Sequence, residues 1–140
     1  MEIAIIAHEM KKELMAQFCT AYNNILKNHN LCATEKMAQH LFDRARLTVN
    51  RTLMDDYSGE QQIASRISYN EIDCLLYFRD NTRREYDEDA MNIMRLCDIH
   101  NIPVATNIAT AEILIHAVER GDLDWRNYVN PMYKDRGNDG

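Results

Sequence analysis

MDDYSGEQQ, residues 54–62, is a polar turn between a β-branched segment, residues 47–53 (LTVNRTL), and the helical spacing of Ile63 and Ile67. A strand hands over to a helix there. In a chain that alternates strands with helices, such turns lie at the carboxyl edge of a parallel sheet, where ligands enter a crevice and helix amino ends present unpaired N–H groups. Glu60 is therefore the first candidate for chemistry. The structural reading of the same residues is a helix capped by Ser58 or Gly59, with Glu60 complementing its dipole.

Upstream of the turn, residues 2–7 (EIAIIA) form a nearly continuous apolar run ending at His8, as expected of a central strand covered on both faces. Leu14, Met15, Phe18, Cys19, Tyr22, Ile25 and Leu26 follow the spacing of one buried stripe and predict a helix over residues 10–28. Asn28, His29 and Asn30 break it. Residues 31–34 (LCAT) read as a second strand, and Met37, Ala38, Leu41, Phe42 and Ala45 mark the inward stripe of a second helix.

Downstream, a short helix over residues 59–68 leads to residues 72–78 (IDCLLYF), the most apolar segment and an interior strand ended by Arg79 and Asp80. Residues 81–89 are polar and charged, a loop bordering a binding site whose last acids cap a helix over residues 90–100. Residues 101–107 (NIPVATN) predict a strand with Pro103 near its start. Residues 108–120 predict a helix with Ile113, Leu114, Ala117 and Val118 inward and Gly121 as its stop. Trp125, Tyr128 and Val129 are expected to pack a short last segment. One domain over residues 1–131 follows, with a disordered tail at residues 132–140. Five strands alternating with helices make the fold α/β: a three-layer, open, five-stranded parallel sheet with helices on both faces. A barrel would require more strands.

With 140 residues, 46% hydrophobic and 27% charged, the chain can build one core. Its net charge of −6 and lack of a basic patch argue against nucleic acid or an anionic membrane as partner. No apolar run approaches 18 residues and no export leader is evident, which makes a cytoplasmic protein the expectation. Cys19, Cys32, Cys74 and Cys97 stand far apart in apolar contexts, unlike the close pairs that hold zinc, and read as reduced core thiols. His29, His40, His100 and His116 form no ligand spacing with one another and read as surface or satisfied core residues, so no metal is expected. His8 differs, because it ends a buried strand at the crevice.

Four stretches together resemble the methylglyoxal synthases up to about Pro131: IAIIAHE (residues 3–9) with Lys12 one turn on, GEQQ (59–62), IDCLLYFRD (72–80) and NIPVATNIATA (101–111). The resemblance implies a five-stranded parallel sheet, a homohexamer, and the conversion of glycerone phosphate to methylglyoxal and phosphate without a cofactor. In that chemistry a carboxylate takes a carbon-bound proton beside the carbonyl, a hydrogen-bond donor polarises the carbonyl, and further donors hold the departing phosphate. By the same resemblance Glu60 stands at the family's catalytic aspartate, Asp80 and Asp89 at its further acids, and His8 and Lys12 at its ligand-binding pair. Tyr86 falls opposite the family's catalytic histidine.

The sequence also departs from the family's pattern. The phosphate-cradling Ala-Thr-Gly-Thr-Thr-Gly is replaced by Ala33-Thr34-Glu35-Lys36-Met37-Ala38. Thr34 remains there, Gly59 of the central turn is a further candidate for the phosphate site, and Lys36 or Arg79 can join Lys12 in supplying charge. Asp55 and Asp56 replace small neutral residues where an anion would sit, and like charges repel. Three readings follow: an active lyase with an altered site, a non-catalytic ligand-binding or regulatory module such as the same fold provides in carbamoyl phosphate synthetase, and an enzyme acting on a less anionic substrate. In each the partner is a small molecule, phosphorylated in the first reading.

Overall fold

Alternation along the two central strands divides the core into two layers. In β1 (Glu2–Ala7), Ile3 and Ile5 face one way and Ala4 and Ile6 the other; in β4 (Cys74–Phe78), Cys74, Leu76 and Phe78 oppose Leu75 and Tyr77. Successive side chains of a strand point to opposite faces, so two apolar faces require two covering layers. The structure, a computed structural model, describes residues 1–54, 57–80, 82 and 87–133, the side chains of Tyr57 and Ser58 excepted. The expected fraying of residues 134–140 lies outside these residues.

The remaining strands are β2 (Asn30–Thr34), β3 (Arg51–Leu53) and β5 (Val104–Ala105), and all five pair in parallel in the order β3-β2-β1-β4-β5. α1 (Lys12–Ala21), α3 (Glu35–Ala45) and α6 (Ile108–Arg120) pack on the Ile3–Ile5 face, whereas α4 (Tyr57–Ser68) and α5 (Glu88–His100) cover the other. This is the expected three-layer α/β sheet. Winding proceeds outward from β1 through β2 in one direction and from β4 through β5 in the other. Right-handed crossovers then place the helices on opposite faces and leave a crevice where the carboxyl ends of β1 and β4 diverge.

Several expectations fail for identifiable reasons. The single helix over residues 10–28 is a 3-10 turn (Glu9–Lys11), then α1, then the short α2 (Asn23–Leu26) beyond a break at Tyr22. Asn23 donates from Nδ2 to the Ala45 carbonyl at 2.7 Å, tying α2 to the end of α3. The strand over residues 47–53 pairs only from Arg51, because Asn50 closes the approach with its own bonds to Leu31, one from its amide and one to its side-chain oxygen. β5 is only two residues long: Pro103 before it has no N–H, and Asn107 after it caps α6 by accepting from Thr110 N at 3.1 Å. Phe42 and Ile113, expected inward, are half-exposed and exposed respectively, and Ile115 takes the core position on α6.

The last segment is anchored differently from expectation. Trp125 and Tyr128 on the 3-10 turn Asp124–Tyr128, and Val129 just after it, are exposed, whereas Arg126 and Asn130 are fully buried. Arg126 donates from Nε to Asp73 Oδ1 at 3.1 Å, from Nη1 to the His100 carbonyl at 2.9 Å, and from Nη2 to the Ile72 carbonyl at 3.0 Å and to Asn70 Oδ1. Asp73 also accepts from Glu2 N at 2.8 Å and from Asn130 Nδ2 at 2.9 Å. A buried charge needs a partner and satisfied lone pairs, and this network supplies both. All four cysteines are buried and free.

Candidate active site

His8 leaves β1 just as the β1–β4 ladder closes, its amide donating to the Phe78 carbonyl at 3.0 Å. Asp80 leaves β4 beside it, and its backbone N–H donates to His8 Nδ1 at 3.1 Å. A nitrogen that accepts carries no hydrogen, so this bond assigns the imidazole proton to Nε2. Nε2 then lies 3.5 Å from Glu60 Oε1, a polar contact longer than an ordinary hydrogen bond. Glu60 comes from the first turn of α4, the helix predicted to start at the central turn.

The third member of this cluster is Tyr77. Its hydroxyl donates to the same Glu60 Oε1 at 3.0 Å, and its ring meets the His8 ring edge-on at 5.8 Å. Burial first, then the charge of Glu60 and the bond to it, push the Tyr77 hydroxyl well above the ordinary tyrosine value, so it stays protonated and donates. Among the described residues, both contacts to Glu60 fall on Oε1. Oε2 is left as the oxygen that can accept a proton from a ligand.

The crevice beside the cluster has a volume of about 170 Å³. That is below the roughly 300–1,000 Å³ of pockets for drug-sized ligands and suits a small metabolite. Ile6, Met37 and Ile63 supply apolar wall; His8, Glu9, Lys12, Thr34, Lys36 and Glu60 supply the polar lining, with Gly59 contributing backbone. Lys12 Nζ is 3.3 Å from Glu9 Oε2, an i,i+3 pair whose acid is largely exposed. Thr34 ends β2 and caps α3, its hydroxyl accepting from Met37 N at 3.4 Å, so the amino end of α3 opens on the crevice with Lys36 in its first turn. Gly59 is needed for space: a Cβ there would stand 2.6 Å from the Met54 carbonyl oxygen and 2.7 Å from Thr34 Cγ2. Any larger residue pushes the first turn of α4, and Glu60 with it, away from β2.

Six of the sequence-predicted residues therefore meet at one crevice: His8, Lys12, Thr34, Lys36, Gly59 and Glu60. Asp80 stands at its edge, where its amide orients His8 while its carboxylate accepts from Thr82 N at 3.0 Å and Thr82 Oγ1 at 2.6 Å. Asp89 is not brought to the crevice. It lies in the first turn of α5, on a separate groove with Glu88, Asn92, Arg95 and Asp98. Tyr86, Asp55 and Asp56 lie outside the described residues. Tyr77 was missed by sequence reading, which took it only as part of an apolar strand. The available signal was chemical: a tyrosine inside a buried strand needs an acceptor for its hydroxyl.

Among the described residues, no group of three or more His, Cys, Asp or Glu side chains is placed to hold a metal ion, and no helix is long and apolar enough to cross a membrane.

Comparison with known proteins adds three findings. Residues 14–106 match the family described as the MGS-like domain. The chain is 49% identical over 140 residues to a methylglyoxal synthase of Caldicellulosiruptor saccharolyticus, covering 99% of each chain, and 48% identical over 138 residues to one of Alkaliphilus metalliredigens, covering 98% of this chain and 100% of that one. The crystal structure of methylglyoxal synthase from Elizabethkingia anophelis NUHP1 superposes with a TM-score of 0.72 at 29% identity, covering 81% of this chain and 76% of that one.

Proposed function

The chain belongs to the methylglyoxal synthase (MGS-like) family, and from that premise we propose that it is a carbon–oxygen lyase converting glycerone phosphate to methylglyoxal and phosphate. The observation that supports this most is the placement of the Glu60 carboxylate at the sheet's switch point, held on Oε1 by Tyr77 and beside the Nε2–H of His8.

Glu60 Oε2 removes a proton from the hydroxymethyl carbon, and the electron pair moves toward the carbonyl to form an enediolate. The Nε2–H of His8, which stands 3.5 Å from Glu60 Oε1 at the crevice, donates to the oxygen on which that charge develops. The hydroxyl on the deprotonated carbon then gives its proton to the departing phosphate, and its electrons form the aldehyde carbonyl. The double bond shifts toward the phosphate-bearing carbon and the carbon–oxygen bond to phosphate breaks with the pair leaving on phosphate, while the enolate oxygen takes back the proton held by Glu60. The remaining enol tautomerises to methylglyoxal. Glycerone phosphate thus yields methylglyoxal and phosphate with no net redox change. Lys12, Lys36, Thr34 and the amino end of α3 are the groups that hold the phosphate, a helix terminus and two cations being complementary to a dianion. Gly59 permits the close approach of α4, and Asp80 acts on the reaction by fixing the His8 tautomer. By the resemblance Tyr86, opposite the family's catalytic histidine, joins His8 as a carbonyl donor, whereas Asp89 stands on α5 away from the crevice and has no part in the step.

The working unit is a homohexamer in the cytoplasm, with residues 1–131 as the domain and residues 132–140 as its tail. The test of the activity is release of methylglyoxal and phosphate from glycerone phosphate by the purified protein. Equimolar products at a rate proportional to protein concentration are expected; no release by folded protein refutes the lyase.

A further inference from the structure

β4 is apolar throughout except for one hydroxyl. Tyr77 is fully buried in the layer of Leu75, Ile63, Ile67 and Ile93, and phenylalanine would fill that volume equally well. What tyrosine adds is a donor, and the donor is used on Glu60 at 3.0 Å. Tyr77 does not line the crevice. It approaches Glu60 from the sheet, while His8 approaches the same oxygen from the end of β1 at 3.5 Å.

Resting on the reading of Glu60 as the base, we propose that Tyr77 is the positioning residue for that base. Glutamate has three side-chain torsions, and a carboxylate on so long an arm samples many orientations unless something holds it. A hydroxyl on a rigid central strand fixes Oε1, and fixing one oxygen of a planar carboxylate fixes the direction of the other. Oε2 is thereby presented to the substrate proton. The hydroxyl does not exchange that proton, because burial and the neighbouring carboxylate keep it bound. Its action is geometric, and misplacement of a reacting group by about 1 Å costs on the order of a hundredfold in rate.

The test is Tyr77→Phe, with kcat and KM for glycerone phosphate, product inhibition by inorganic phosphate and thermal stability measured beside wild type. The Glu60 side chain is 22% exposed and can take water in place of the hydroxyl, so the variant folds. The expected result is kcat lower by about tenfold to a hundredfold, with KM and the phosphate inhibition constant within about twofold of wild type. Unchanged kcat overturns the proposal, as does a raised kcat, which would mean that the hydroxyl only damps the basicity of Glu60. A severalfold rise in both KM and the inhibition constant overturns it too, since the hydroxyl would then be propping the whole crevice. Absence of turnover by folded wild type is a separate outcome: it refutes the lyase reading itself and removes the proposal with it.

Discussion

Replacing Arg126 with leucine tests what ties the C-terminal segment to the sheet. The guanidinium is fully buried and donates to Asp73, Asn70, Ile72 and His100, whose contributing atoms come from the turn before β4 and the end of α5. Leucine supplies apolar bulk and no donor. Removing one partner of a buried ion pair costs about 3–5 kcal/mol, because the other charge stays behind uncompensated. Asp73 keeps the amide of Glu2 and the side chain of Asn130, which puts the loss near the lower end. An unfolding entropy of roughly 2.1 cal/mol/K per residue over 140 residues gives about 0.3 kcal/mol/K, so a loss of about 3 kcal/mol lowers Tm by about 10 °C. Thermal unfolding by circular dichroism reads this directly. Trp125→Ala is the control: Trp125 is 45% exposed, and its truncation is expected to cost within about 1 kcal/mol. The reasoning is refuted if Arg126→Leu lowers Tm by less than about 3 °C, or if Trp125→Ala costs more than Arg126→Leu. Asp73 stands at the opposite end of β4 from the crevice, roughly 15 Å away at about 3.3 Å per residue. At temperatures where the variant is folded, its kcat should match wild type.

Gly59→Ala puts a methyl group against the Met54 carbonyl and the Thr34 side chain, neither of which can yield without moving backbone or the α3 cap. A loss of about 1–3 kcal/mol in urea unfolding and a clear fall in kcat/KM are expected; wild-type values for both would show that α4 has room to spare. The buried thiols give a pH prediction. Loss of hydration pushes Cys19, Cys74 and Cys97 from 9.0 up to about 12, and Cys32 up to about 11. Unfolded thiols release protons near pH 9 that the folded protein still holds, so their contribution is complete below pH 9 and is lost as pH rises from 9 toward 12. The urea midpoint should therefore fall between pH 8.5 and 10.5 (about two units spanning that onset), with Tyr77 adding a loss of the same sign above its ordinary 10.0. A midpoint that stays level or rises across that range would contradict the assignment.

The fold was legible because its two central strands carry unbroken apolar runs, and such runs need cover on both faces. β3 and β5 are shorter than their apolar patterning implies, since Asn50 and Pro103 act through particular backbone groups that such patterning does not register. The helix stripes were right in their centres and wrong at their flanks: Phe42 and Ile113 sit at the edge of an inward arc, where one residue's rotation separates core from solvent. The anchoring of the last segment was read from its aromatic residues, but a polar residue can be buried when distant partners wait for it. Arg126 meets groups 26 to 56 positions away in the chain. At the crevice, His8 and Glu60 were legible from their places at the strand and helix ends. Tyr77 was not, because the partner that gives its hydroxyl a purpose lies 17 residues earlier on another element.

The most direct measurement of the central claim is the rate at which Glu60→Gln forms methylglyoxal from glycerone phosphate, set against wild type in the same assay. Glutamine preserves the side chain's length and its acceptor for the Tyr77 hydroxyl and removes only the basic oxygen. If Glu60 is the base, kcat falls by about 10²–10⁴ while the protein remains folded and KM changes little. If the variant keeps kcat within a few-fold of wild type, the proton is taken by another group and the assignment of the reaction to this cluster is wrong.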